Sequence, residues 1–257
     1  MISLPSTFKI IPLNEQNSAT VEISPLYPGY GHTIGNALKR VLLSSLEGAG
    51  IISVKIAGAE HEFMTLPHVQ EEVLEIMLNL RQLRLKVFTP DKEKITLDVK
   101  GKKIVTAGDF TPNASVEISN KEQLIATLTH KDATLHIEVT VAKGLGFSPL
   151  EEREKELEVG VISIDTLYSP ILSVGYTVED IRVGKRTDYD RLILNIKTDG
   201  TISVEQAISQ SAKILLEQFK IIYEQIGGDQ LADTAADKEA DTETPTLVAV
   251  KSKKKKK

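Results

Sequence analysis

An α+β architecture is predicted by three features of this chain: many short runs that alternate apolar and polar residues, three longer stretches with helical spacing, and no regular βαβ alternation. The alternating runs are FKIIPL (8–13), ATVEIS (19–24), IISVKIAG (51–58), LRLKVF (83–88), KITLDV (94–99), TLHIEVTV (134–141), GVISID (160–165) and RLILNIK (191–197). Period two over five to eight residues is the pattern of a sheet with one dry and one wet face. Residues 33–46, 69–83 and 204–226 instead carry apolar side chains at helical spacing. With 41% hydrophobic residues in 257, the chain has enough apolar material for a buried core.

The last helix is the best delimited. Ser203 and Gln206 fit a capping box at its start, and Gly227 supplies a stop. Within it, Ile208, Ala212, Leu215, Phe219, Ile222 and Ile226 follow at alternating steps of four and three, a heptad seam. Ile214, Leu216, Ile221 and Tyr223 lie off that seam, so the helix is apolar on more than one side. Two readings stay open: a single, strongly buried core helix, or a helix that also packs on a second copy. In the first helix, Ile34, Leu38, Val41, Leu42 and Leu46 form a core stripe. A second face carries Asn36, Lys39, Arg40 and Leu43. That face reads either as solvated surface or as an interface with a polar rim.

Several kinds of chemistry are excluded. Cysteine is absent, which removes disulfides and thiolate sites. His32, His61, His68, His130 and His136 show no HxH or HxxxH pairing, so no zinc motif is present and no metal or cofactor is expected. GYGHTIG, with Gly29, Gly31 and Gly35, misses the dinucleotide-binding spacing by one residue, and Pro25 and Pro28 interrupt the approach to it. GxxxxGK[ST], GxSxG and HExxH do not occur. KGLGF (143–147) is expected to mark a bend or bulge, and EEREKELE (151–158) a solvated loop or turn. No apolar run approaches the roughly 20 residues of a membrane span, and the first residues lack the pattern of a signal peptide, so the reading is cytoplasmic.

Net charge is −5, distributed unevenly. From Asp229 the sequence is acidic, small and threonine-rich before it ends in Lys251 and Lys253 to Lys257. That tail reads as disordered and sums to one positive charge, leaving −6 on the body.

GYGHTIGNALKRVLLSSLEGAG closely resembles the signature of bacterial RNA polymerase α subunits. HVQEEVLEIMLNLRQL, KGLGFSP and the stretch from LYSPILSVGYTVEDIRVGKRTDYDRL to ISQSAKILLEQ continue the likeness in the same order from about Phe8 to Ile226. The resemblance implies a dimerisation domain of antiparallel sheet plus two long helices (1–47 and 174–228) and a mainly-β domain inserted into it (48–173). It further implies a homodimer formed through Ile34, Leu38, Val41, Ile208, Ala212, Leu215, Phe219 and Ile222. Such a dimer recruits the β subunit, with Lys39 and Arg40 at the matching positions, and the β′ subunit, with Arg81 and Ile171. Arg81 stands where lysine is commoner, which keeps the charge and changes the geometry of any ion pair.

Family members usually carry a DNA-binding domain after a flexible linker, whereas here only a linker-like tail follows the body. Promoter recognition by that route is therefore expected to be absent. Lys251, Lys253, Lys254, Lys255, Lys256 and Lys257 either touch DNA phosphates without reading sequence or merely aid solubility. No carboxylate arrangement for nucleotidyl transfer is visible, so no active site is expected in this chain. The alternatives are a homodimeric scaffold outside transcription and a self-contained metabolic enzyme.

Overall fold

The computed structural model describes residues 4–153 and 160–226. Fourteen strands and three α-helices follow one another in these residues. They are β1 (Thr7–Pro12), β2 (Ser18–Leu26), α1 (Tyr30–Ser44), β3 (Glu47–Ile56), α2 (Val73–Arg81), β4 (Leu85–Val87), β5 (Glu93–Lys100), β6 (Lys103–Thr106) and β7 (Val116–Ile118). Then come β8 (Leu124–Leu128), β9 (Thr134–Leu145), β10 (Phe147–Ser148), β11 (Val161–Ser163), β12 (Thr166–Leu167), β13 (Ile171–Val183), β14 (Arg186–Thr198) and α3 (Val204–Gln225). Each of the eight predicted runs contains a strand, and each predicted helix is present, so the class is α+β.

The chain divides into two compact units at residue 213. The first unit holds two main sheets. One is antiparallel in the order β1-β2-β14-β13, joining strands from the two ends of this unit. Along β14 the alternate residues Asp190, Leu192, Leu194, Ile196 and Thr198 are buried, as period two requires. The other sheet has the order β5-β9-β3-β4-β7, with β11 added to β3. Its dry face, including Ile95, Leu97, Ile137 and Val139, belongs to one core with Val73, Ile76, Met77 and Leu80 of α2. The second unit contributes the described residues 214–226, the latter half of α3 and Ile226 after it.

Three departures from the sequence expectations have identifiable causes. β13 was absent from the predicted strands because it is an edge strand, largely exposed, and its pattern is broken by Gly175, Glu179 and Asp180. α2 begins at Val73 rather than at residue 69. His68 has φ 66°, Val69 bridges to Leu128, and Gln70 N–H donates to Thr127 O at 3.0 Å, so those residues are taken by β8. β2 continues through Pro25, since the proline lies beyond the residues paired with β1 and at a register shift against β14, where no ladder hydrogen bond is required of it.

α1 starts at Tyr30, three residues before the expected position, because its end is capped from far along the chain. Gly29 N–H and Gly31 N–H both donate to Oδ2 of the buried Asp190, at 3.0 and 2.9 Å. Gly29 itself has φ 86°, which glycine adopts without strain. Asp190→Ala strands these two donors and is expected to cost about 2 kcal/mol, measured as a lower urea midpoint with an unchanged slope.

Candidate functional site

The GYGHTIG glycines set the outward face of α1. A Cβ on Gly31 would lie 2.6 Å from Val178 Cγ1, and one on Gly35 would lie 2.8 Å from both Leu192 and Tyr176. One helical turn apart, the two glycines let the backbone of α1 lie directly on β13 and β14. Their function is close packing. Leu38, Leu42 and Leu46 complete the buried stripe, while Ile34 and Val41, expected within it, are half-buried at its margins because the glycines occupy its centre.

That rotation leaves Asn36, Arg40 and Leu43 exposed together and Lys39 half-buried beside them. The Arg40 carbonyl accepts a hydrogen bond from Ser44 Oγ at 2.8 Å, and among the described residues neither Lys39 nor Arg40 forms an ion pair. In the β1-β2-β14-β13 sheet Arg186 pairs with Asp188, Arg191 with Glu179 and Lys197 with Glu15. The Asp188 carboxylate keeps the Arg186 guanidinium protonated well above the ordinary arginine range, and Lys197 lowers the Glu15 pKa. On α1 two cations without an ion pair among the described residues lie beside the exposed Leu43.

α3 carries the capping box expected at its start. Ser203 N–H donates to Gln206 Oε1 at 3.3 Å, and Gln206 N–H to Ser203 Oγ at 3.2 Å. Val204, Ala207, Ile208 and Ser211 are buried, so Ile208 of the seam sits in the core of the first unit. Ala212 is exposed, and Leu215 is half-buried. Further on, Leu216, Phe219, Ile221, Ile222, Tyr223 and Ile226 all stand between 51% and 71% exposed. An exposed run of large apolar side chains is the mark of an interaction surface. Gly227 lies outside the described residues, as do the lysines from Lys251 and most of the acidic run at 151–158.

The other candidate residues are dispersed. Arg81 is exposed in the last turn of α2, and Ile171, at the start of β13, is 5% exposed. Next to Arg81, at helical spacing on α2, stand the exposed Leu74 and Leu78, which the sequence reading did not single out. Two exposed leucines at i and i+4 were the available signal. Among the described residues no three His, Asp or Glu side chains converge as a metal-binding group.

Comparison with known proteins gives one answer along the chain. The family profile described as the RNA polymerase Rpb3/RpoA insert domain matches residues 54–169. The DNA-directed RNA polymerase subunit alpha of Lawsonia intracellularis is 49% identical over 211 residues, which are 80% of this chain and 60% of that protein. Its counterpart from Moorella thermoacetica is 46% identical, covering 77% of this chain and 64% of the relative. The protein of the same description from Alkaliphilus oremlandii is 41% identical over 83% of this chain and 68% of its own length. The chain thus spans about three fifths of the length of the first of these relatives.

Proposed function

We propose, since the chain belongs to the family of DNA-directed RNA polymerase α subunits, that it is a homodimeric scaffold on which the β and β′ subunits assemble, with no active site of its own. The observation that carries this reading is the exposed apolar half of α3. Six large apolar side chains from Leu216 to Ile226 face water in the single chain, and a second copy can cover them with the same residues in a two-fold contact. Leu38 and Ile208 are buried within the single chain, while Phe219 and Ile222 meet the partner directly.

Lys39, Arg40 and Leu43 on α1 form the surface that takes β. Arg81, with Leu74 and Leu78 beside it, is the centre of the surface that takes β′, and Ile171 acts there by holding the start of β13. The proposed division into a dimerisation domain (1–47 and 174–228) and an inserted domain (48–173) is supported by the grouping of β1, β2, β13 and β14 in one sheet and of β3, β4, β5, β7, β9 and β11 in another. DNA is reached through the assembled cytoplasmic enzyme.

Co-expression with β and β′ followed by size-exclusion chromatography tests the reading, because an independent enzyme has no reason to co-elute with them. Within that assembly, Arg40→Ala is expected to leave the dimer intact and weaken β capture about 30-fold, the effect of losing one central interface arginine. A titration of β onto the variant that matches the parent protein would remove Arg40 from the contact.

A further inference from the structure

We propose that the free edge of β7 and the apolar cleft beside it form a docking site for an extended peptide segment of another protein, one carrying a large apolar residue next to an acidic one. β7 ends its sheet and pairs only with β4. Phe88 N–H donates to Ser115 O at 3.0 Å, and Ser119 N–H donates to Arg84 O at 2.8 Å. In an antiparallel pair, main-chain groups alternate in direction from residue to residue, so Ser115, Glu117 and Ser119 face β4. Val116 and Ile118 consequently direct their N–H and C=O groups away from the sheet, and among the described residues no backbone partner meets them.

This edge borders a cleft of about 350 Å³ lined by Phe88, Ile95, Phe110, Val116 and Ile118. Phe88 is 56% exposed at the mouth of this cleft, so its ring is available to an occupant. The far wall is held to β5: Thr111 N–H donates to Thr96 O at 2.8 Å, and Asn113 Nδ2 donates to Lys94 O at 3.3 Å. A pocket for a side chain beside unpaired main-chain groups is the arrangement by which an added strand gains affinity and specificity together.

The charges select the occupant. Lys121 lines the cleft and forms no ion pair among the described residues, and the Lys86 ammonium sits 5.5 Å from the centre of the Phe88 ring. Glu117, which also lines the cleft, lies opposite Lys86 in the β4–β7 register, so Lys121 is the cation open to a carboxylate of the incoming strand. A small apolar molecule would fill the cleft without using the edge, which is why an extended peptide is the better fit.

The test is fluorescence anisotropy of the full chain with a short fluorescein-labelled probe of alternating valine and threonine, carrying a central phenylalanine followed by aspartate. Saturable binding is expected, reduced about 10-fold when the probe is N-methylated at alternate residues so that it cannot pair with the edge. Lys121→Glu should weaken the aspartate probe about threefold and leave an asparagine probe nearly unchanged. Phe88→Ser, at an exposed position that spares the core, should abolish measurable binding while thermal unfolding stays as in the parent. Absence of saturation, or binding indifferent to N-methylation, overturns the proposal. A shift in the chain's own sedimentation on Phe88→Ser also overturns it, since the occupant would then be a second copy. The site does not depend on the polymerase reading: failure of β capture leaves these outcomes unchanged.

Discussion

Phe219→Glu is expected to yield a folded monomer at micromolar concentrations at which the parent chain is expected to form the proposed dimer, with sedimentation reporting the mass and circular dichroism the fold. The residue is 65% exposed in the single chain, so a carboxylate there costs the isolated protomer little. In the proposed dimer the same carboxylate is buried without a partner. Removing an uncompensated charge from water costs about 4 kcal/mol, which is roughly a 1,000-fold loss in association. Two-fold symmetry places the substitution on both sides and adds like-charge repulsion. A folded Phe219→Glu protein that remains dimeric would place the dimer contact on another surface.

Gly48→Ala is expected to have the largest effect on folding itself. Gly48 and Gly144 are directly paired in the β3–β9 register, and the chain passes over both where it returns from the second sheet to the first. A Cβ on Gly48 would stand 1.7 Å from the carbonyl oxygen of Tyr168, and one on Gly144 would stand 2.6 Å from the Tyr168 ring. A side chain can rotate away, but the carbonyl is held: Tyr168 N–H donates to Gly146 O at 2.8 Å, and Pro170 stands two residues on. Relief requires main-chain movement costing about 3 kcal/mol or more, and a fall in melting temperature of about 10 °C. Gly175→Ala, where nothing lies within 4 Å of the new methyl group, serves as the matched control and should stay close to the parent.

Strands with one wet face were legible in the sequence because burial imposes period two on them directly, as Leu192, Leu194 and Ile196 show. β13 was not, since an exposed edge places little demand on its side chains. The capping box of α3 was readable because both partners lie within one turn. Asp190 and Tyr168 were not: Asp190 acts on Gly29 and Tyr168 on Gly48, each more than a hundred positions away, and nothing local distinguishes a capping aspartate from a solvated one. Helical spacing correctly grouped Lys39, Arg40 and Leu43. It could not separate Ile208, buried within the chain, from Phe219, exposed on the same seam, because hydrophobicity reports burial without naming what does the covering. The glycines of GYGHTIG show the converse: the rejected phosphate loop left them without a role, which only the 2.6 and 2.8 Å approaches to β13 and β14 supply.

The pairing of β2 with β14 sets an order of events during synthesis. Val21 aligns with Leu194, and α1 receives its cap from Asp190, so the first strands and the first helix leave the ribosome long before the residues that stabilise them exist. The second sheet is complete earlier, because its strands, β3 to β11, end at residue 163. Once that sheet has formed, it holds Glu47 against Leu145 and shortens the effective loop between β2 and β14. The entropic cost of joining the ends falls by about 1 kcal/mol as a result. The middle of the polypeptide therefore acts as an internal folding template, and a lesion such as Gly48→Ala, located where the template meets the ends, should slow maturation of the nascent chain as well as weaken the finished protein.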